Sequence, residues 1–173
     1  MVARAALEEL KLDRLFLIPA ARSPFKTTQP KAPAACRLRL LRMAFAGWPD
    51  CQVDPQELGR DGASYSVDTV RNFAGRFPGA TLHYLVGADH VATLPQWREA
   101  GALAALAQFA VLPRPGQVAA GFPAPFRGAW LQGQPMAVAA SVIRDRVRAG
   151  LPVDHLVPAA VAAGITEMKL YTG

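Results

Sequence analysis

The sequence predicts an α/β fold in which a parallel β-sheet carries helices on both faces. Short apolar runs alternate along the chain with longer segments whose apolar residues recur at helical spacing. The first such pair is a helix over residues 2–12 and a strand at Leu15–Ile18, closed by Pro19. About half of the 173 residues are apolar, which is enough for one sizeable core. We therefore predict a single domain spanning residues 1–173.

The remaining segments continue this alternation. Helical spacing, alanine-rich composition and flanking Gly or Pro residues predict helices over 36–48, 66–77, 96–107, 141–149 and 158–170. Apolar runs predict strands at 51–53, 82–86 and 109–112, and weaker strands at 129–131 and 136–138. The Pro- and Gly-rich segment 115–128 is expected to be a connecting loop.

Charge and composition restrict the class of ligand. The chain has 19 Lys and Arg against 13 Asp and Glu, and the net charge of +6 favours an anionic ligand, either a nucleotide or a nucleic acid. The basic residues are dispersed and little interleaved with aromatics, so we expect no nucleic-acid partner. Cys36 and Cys51 lack the paired spacing of zinc sites and disulfide frameworks. Without an apolar leader or a long apolar stretch, a cytoplasmic protein that binds no membrane is expected.

Two residues that follow the predicted strand 82–86 are candidates for a binding site. In parallel α/β sheets, ligands bind beyond the carboxyl ends of the strands. Gly87 would permit close approach of the backbone to a ligand, and the Asp89 carboxylate could accept hydrogen bonds from a ribose. An ordinary turn with a capping Asp is the simpler alternative.

Aromatic residues accompany the predicted starts of two helices. Tyr65 precedes the helix over 66–77, for which Ser66 is the expected N-cap, and Trp97 lies at the start of the helix over 96–107. An aromatic ring can stack on a heterocycle, while the N–H groups of a helix start can bind a carboxylate. The alternative is that both aromatics are core residues.

A third helix start offers groups suited to a phosphate. Ser141 and Arg144 open the predicted helix 141–149, so that a hydroxyl, a guanidinium and the positive end of the helix dipole come together. A helix cap beside a surface arginine is the alternative.

Seven segments recur in an order and spacing that extend over essentially the whole chain. They are Phe16–Pro19, Ser23–Lys26, Ser64–Thr69, Val86–Asp89, Leu94–Trp97, Arg114–Gly116 and Ser141–Arg144. Taken in order, these segments resemble those of the bacterial nicotinate-nucleotide adenylyltransferases, Rossmann-like nucleotidyltransferases with an H-x-G-H signature.

The resemblance implies a reaction and an acceptor site. The reaction would transfer AMP from ATP to nicotinate mononucleotide, forming deamido-NAD and pyrophosphate with Mg²⁺. Tyr65, Ser66 and Trp97 would hold the nicotinate ring and its carboxylate. Gly87 and Asp89 would contact the nucleoside of ATP.

The same resemblance implies a set of phosphate ligands. Lys26 and Arg144 would stabilise the charge on the reacting phosphates, and Ser141 and Arg114 would add further contacts to ATP. Such a reaction needs in-line positioning and cationic stabilisation but no covalent nucleophile on the protein.

This sequence departs from the family pattern at its N-terminus. Relatives begin with a strand and a loop of the form G-G-x-F-D-P-x-H-x-G-H, whose histidines contact the ATP phosphates, whereas this chain opens on an uncapped helix at Met1. We expect a misassigned start, with the first, central strand missing and no appreciable transfer by the 173-residue form. A truncated, inactive nucleotide-binding remnant is the alternative. Phe25 and Ala139-Ala140 also replace a histidine and serines of relatives.

Two other functions are compatible with parts of the sequence. One is a related adenylyltransferase that uses nicotinamide mononucleotide or phosphopantetheine as acceptor, although Tyr65, Ser66 and Trp97 argue against it. The other is a catalytically silent nucleotide-binding or RNA-associated module, which the basic charge permits.

Overall fold

The computed structural model describes residues 2–22, 32–112, 119–133 and 139–172. The helices of this part of the chain are α1 (Val2–Glu9), α2 (Ala34–Phe45), α3 (Ser66–Arg76), a 3₁₀ helix (Ala88–Gln96), α4 (Ala100–Leu106), α5 (Ala140–Arg148) and α6 (Ala159–Glu167). The strands are β1 (Leu15–Leu17), β2 (Cys51–Val53), β3 (His83–Gly87), β4 (Gln108–Leu112) and β5 (Gly128–Trp130).

The chain divides into two compact units. The first unit comprises Met1–Asp13 and Ser64–Ala137, and the second unit comprises Arg14–Ala63 and Val138–Gly173. The first unit therefore contains α1, α3, the 3₁₀ helix, α4 and the strands β3 to β5. The second unit contains β1, β2, α2, α5 and α6.

The predicted alternation of helices and strands is confirmed, but one helix differs in kind. The helix expected over 96–107 begins only at Ala100, and the residues before it form the 3₁₀ helix, which the apolar pattern did not predict. Between the two helices, Trp97 is extended (φ −72°, ψ 149°) and Glu99 is left-handed (φ 49°, ψ 47°). These two conformations interrupt the helix. The weak strand candidate at 136–138 lies outside the described residues.

All strand pairs in the described part of the chain are parallel, and they form two sheets. One sheet has the order β3-β4-β5, with Tyr84 opposite Phe109 and Val111 opposite Trp130. The other contains β1 and β2. The sequence predicted one sheet. Apolar runs locate the strands, but they do not determine which strands pair, and the division into two sheets was therefore not predicted.

Helices cover both faces of the three-stranded sheet, as predicted. Successive side chains of a strand point to opposite faces. On β4, Phe109 and Val111 lie in a core with residues of α3 and α4, whereas Ala110 packs with Ala6 of α1 and Leu131. The larger of these cores consists of Val67, Val70, Val86, Val91, Leu94, Leu103, Ala107, Phe109, Val111 and Phe126.

The second unit has its own core, in which α2 and α6 approach closely. A Cβ added to Gly164 of α6 would lie 3.0 Å from the Sδ of Met43 on α2, so the small residue permits this contact. Arg39 and Glu167 join the same helices, with Nη2 of Arg39 2.8 Å from both carboxylate oxygens. The buried residues are Ala32, Val153, Val161, Ile165 and Leu170.

Candidate functional site

The start of α3 carries two of the predicted acceptor residues. Tyr65 is the extended residue before the helix (φ −93°, ψ 131°), and Ser66 is the first helical residue. The N-cap residue is Tyr65, whose side chain makes no capping hydrogen bond, so the prediction that Ser66 is the N-cap is wrong. The Ser66 hydroxyl is instead 2.7 Å from the hydroxyl of Tyr84, because a partly buried tyrosine hydroxyl requires a hydrogen-bond partner.

Tyr84 connects Ser66 to the third predicted acceptor residue, Trp97. The rings of Tyr84 and Trp97 meet edge to face, with centroids 5.9 Å apart and an interplanar angle of 85°. The ring of Tyr84, on β3, also packs against that of Phe109, with ring centroids 5.5 Å apart. Sequence reasoning missed Tyr84 because it lies in an apolar strand. The Tyr84 hydroxyl is a polar group in an otherwise apolar strand, so it needs a hydrogen-bond partner, and this is the feature that could have identified the residue.

Tyr65 is joined to the same group through Arg98. The Cζ atom of Arg98, the residue after Trp97, lies 4.5 Å from the centroid of the Tyr65 ring. The structure therefore brings together the three residues predicted to bind the nicotinate. We call this group the aromatic cluster: Tyr65, Ser66, Tyr84, Trp97 and Arg98.

The predicted nucleoside residues lie at the carboxyl end of β3. Gly87 has φ −70° and ψ 147°, a conformation open to any residue, so backbone freedom does not explain the glycine. A Cβ at this position would lie 2.6 Å from Oδ1 of Asp89, so the glycine leaves room for that carboxylate. Oδ2 of Asp89 is 3.9 Å from Nε2 of His90, whose ring centroid is 6.1 Å from that of Trp97. Sequence reasoning missed His90.

An ion pair fixes the segment after Trp97 to α3. Arg71 donates to Glu99 through both terminal nitrogens; Nη1 is 3.1 Å from Oε1, and Nη2 contacts Oε2. The hydrogen bond from Arg71 is the largest cause that lowers the pKa of Glu99, and the positive charges of Arg71 and Arg98 lower that pKa further. The same hydrogen bond raises the pKa of Arg71. Glu99 is therefore ionised at neutral pH, and its carboxylate is paired with Arg71.

The predicted phosphate ligands on α5 belong to the second unit. This helix begins at Ala140 after the extended residue Ala139, so Ser141 is its second residue and not its cap. Arg146 donates to the carbonyl of Pro152, and Arg148 donates to Asp145. Within the described residues, the Arg144 guanidinium makes no comparable contact.

Lys26 and Arg114 lie outside the described residues, so their predicted contacts with phosphate stay predictions. Among the residues with described positions, no group of three or more His, Cys, Asp or Glu side chains could hold a metal ion. Within the same ranges, no helix combines the length and apolar character needed to cross a membrane.

No family model matches the chain. Three curated relatives share much of its sequence, and all are named nicotinate-nucleotide adenylyltransferase. The protein of Gemmatimonas aurantiaca is 38% identical over 99% of this chain and 84% of its own length. The protein of Bordetella pertussis is 39% identical over 98% and 88%, and that of Opitutus terrae is 34% identical over 99% and 89%.

Solved structures show the same fold at much lower identity. The nicotinic acid mononucleotide adenylyltransferase of Plasmodium falciparum complexed with NaAD matches with a TM-score of 0.73, at 12% identity, over 98% of this chain and 88% of that one. The same enzyme complexed with APC gives a TM-score of 0.70, at 11% identity, over 92% and 83%. The similarity to the curated relatives is close and nearly full-length, and the chain belongs to the nicotinate-nucleotide adenylyltransferase family.

Proposed function

We propose that this chain transfers AMP from ATP to the 5′-phosphate of nicotinate mononucleotide, forming deamido-NAD and pyrophosphate. Two lines of evidence support the proposal. One is membership of the family, whose curated relatives carry this activity in their names. The other is the aromatic cluster, the observation from the structure that carries the most weight, because it joins two helix-flanking aromatics that are distant in sequence.

The aromatic cluster would bind the nicotinate. Trp97 and Tyr65 offer flat apolar surfaces suited to a pyridine ring. The side chain of the N-cap residue Tyr65 makes no capping hydrogen bond, and the first N–H groups of α3 together with the positive end of its dipole suit the carboxylate of the ring. Tyr84 would keep this arrangement in place through the Ser66 hydroxyl.

The end of β3 would bind the nucleoside of ATP. Asp89 lies just beyond the strand, and its carboxylate could accept hydrogen bonds from ribose hydroxyls. Gly87 leaves the space in which that carboxylate sits. A larger residue at Gly87 would therefore disturb nucleoside binding by moving Asp89.

The chemical step would need no covalent intermediate on the protein. An oxygen of the acceptor phosphate attacks the α-phosphorus of ATP; the bond to the bridging β-oxygen breaks, and pyrophosphate leaves with the electron pair. Lys26 and Arg144 would stabilise the charge on the reacting phosphates, with Ser141 and Arg114 as further ligands.

We also propose that Mg²⁺ takes part and that the reaction occurs in the cytoplasm. Bound Mg²⁺ would neutralise charge on the phosphates. The described residues do not gather three acidic or histidine ligands, so the ion would be held mainly by the phosphates of ATP, as is common for this metal.

Two measurements test the proposal. Calorimetric titration compares binding of nicotinate mononucleotide, nicotinamide mononucleotide and phosphopantetheine, and a coupled assay follows pyrophosphate release with ATP and Mg²⁺. The assay is run on the 173-residue chain and on a form extended upstream of Met1 to include the H-x-G-H loop. We expect preferential binding of nicotinate mononucleotide, and pyrophosphate release that depends on it in the extended form. Preference for another acceptor would contradict the acceptor assignment, and ATP binding without any pyrophosphate release would favour a silent nucleotide-binding module.

A further inference from the structure

We propose that the guanidinium of Arg98 selects the acid over the amide, that is, nicotinate mononucleotide over nicotinamide mononucleotide. The inference rests on the proposed function, because it assigns a specificity residue to the same acceptor site. It concerns the side chain of Arg98, which the sequence did not single out.

The position of Arg98 links the two rings assigned to the acceptor. The residue directly follows Trp97, and its guanidinium lies over one face of Tyr65, 4.5 Å from the ring centroid. A guanidinium stacked on an aromatic ring still presents its N–H groups at its edge, in the fork geometry that matches a carboxylate. We therefore assign stacking of the pyridine ring mainly to Trp97, and Tyr65 supports the cation.

The neighbouring carboxylate does not occupy the donors of Arg98. Nε of Arg98 is 3.8 Å from Oε1 of Glu99, which is beyond hydrogen-bond distance. Both oxygens of Glu99 already accept hydrogen bonds from Arg71. Among the described residues, the Arg98 guanidinium makes the ion pair and the ring contact but no hydrogen bond. Its donors are therefore available to a ligand.

The backbone around Arg98 is constrained. Trp97 is extended, whereas Glu99 adopts a left-handed conformation that is uncommon for a residue other than glycine. The pair with Arg71 holds Glu99 in this conformation against α3. Such backbone conformations recur where a protein positions a side chain for binding. Arg98 therefore sits on a fixed turn.

The two acceptors differ in one group, which a guanidinium distinguishes. The carboxylate of nicotinate can accept two charge-assisted hydrogen bonds from Arg98. The amide of nicotinamide is neutral, offers a single acceptor oxygen, and turns an NH₂ donor toward the guanidinium donors. This mismatch gives specificity by disfavouring the wrong ligand as well as by favouring the right one. Arg98 is half-exposed, so we expect a contribution of about tenfold.

Binding measurements on the full chain test this inference. Arg98→Met keeps the length of the side chain but removes the charge and the donors. Arg76→Met is the matched control, because Arg76 also lies over an aromatic ring, Phe73, at 4.8 Å, at the other end of α3. The dissociation constants for nicotinate mononucleotide and nicotinamide mononucleotide are measured by calorimetry.

We expect Arg98→Met to raise the dissociation constant of nicotinate mononucleotide about tenfold and that of nicotinamide mononucleotide by less than about twofold, with neither altered in Arg76→Met. For Arg98→Lys, the dissociation constant of nicotinate mononucleotide should lie between those of Arg98→Met and the unchanged protein. If Arg98→Met changes the two dissociation constants by the same factor, or changes neither, Arg98 does not select the acid. The proposed function would not be affected by that result. If the unchanged protein binds neither ligand, the proposed function and this inference both fail.

Discussion

The helix starts of α3 and α5 have similar local chemistry but different surroundings. Each helix follows an extended N-cap residue whose side chain makes no capping hydrogen bond, and each has a serine in its first two positions. On α3, Val67, Thr69 and Val70 are buried, whereas α5 has no buried residue. The Ser66 hydroxyl is bonded to Tyr84, while Ser141 is exposed and, in the described part of the chain, has no hydrogen-bond partner.

This difference separates two ways in which a helix start can serve a ligand. The start of α3 is held by packing, so that it can present Tyr65 and the first N–H groups of the helix in fixed positions to a flat ring that carries one carboxylate. The start of α5 is solvated and contributes mainly cationic charge, which suits phosphates. Stabilisation of phosphate charge acts on the transition state. Substitutions at the start of α5 should therefore lower the rate more than substitutions beside α3.

The largest expected effect comes from α5. Arg144→Ala should lower kcat/KM by on the order of a hundredfold, because a cation that stabilises charge on the reacting phosphates is lost. We expect the same from Lys26→Ala. Pyrophosphate release measures the rates, and Arg148→Ala, on the same helix but paired with Asp145, is the control. Near-normal rates for Arg144→Ala would show that Arg144 is a surface residue that does not act on the reacting phosphates.

The aromatic residues beside α3 should affect binding more than rate. Trp97→Ala and Tyr65→Ala should each raise KM for nicotinate mononucleotide by about tenfold with little change in kcat. Trp97 would contact the pyridine ring and Tyr65 would support Arg98, and both contributions act on ground and transition states alike. Trp130→Ala, which removes a tryptophan hydrogen-bonded to the carbonyl of Ala120 in the same unit, is the control. An unchanged acceptor KM in both variants would contradict the assigned pocket.

The two serines provide a smaller and more direct comparison. Ser66→Ala and Tyr84→Phe should each lower the free energy of unfolding by about 1 kcal/mol, and the double variant should lose little more than either single one, because both remove one hydrogen bond. Ser141→Ala should change stability by less than about 0.5 kcal/mol. Urea denaturation measures all four variants. Fully additive losses would mean that the hydroxyls act independently.

The smallest expected effect concerns pH. Glu99 has an ordinary pKa of 4.5 that is lowered in the folded protein, so its pair with Arg71 contributes stability above that value. The contribution is lost as the pH falls through the lower, folded pKa. The pair is exposed, so the effect should be small. Thermal melts of the protein and of Glu99→Gln should differ near neutral pH and converge at acidic pH; a constant difference would contradict this assignment.

The sequence predicted those parts of the molecule that depend on local pattern. The apolar run that contains Phe109 and Val111 located β4, and helical spacing over 66–77 located α3. These features follow from periodicity and from the side chains themselves. The same pattern gave the α/β alternation. The acceptor role of Tyr65 and Trp97 came from the family resemblance and stays a prediction.

Contacts between distant residues could not be predicted in the same way. The hydroxyl of Ser66 was expected to cap its own helix, and only the fold brings it to Tyr84. The pair of Arg71 and Glu99 is separated by 28 positions, and the left-handed turn at Glu99 has no glycine to indicate it. Strand partners also depend on the whole fold, which explains why one sheet was expected and the described residues form two.

The 3₁₀ helix has a consequence for motion in the first unit. Its nine residues carry Asp89 and lead directly into Trp97, yet 3₁₀ hydrogen bonds have poorer geometry than those of an α-helix, and runs beyond about four residues are uncommon. Amide protons in this helix should therefore exchange with deuterium faster than those of α3 or β4. Asp89, assigned to ATP, lies in this helix, and Trp97, assigned to the acceptor, directly follows it. Binding of either substrate should therefore slow amide exchange in the helix.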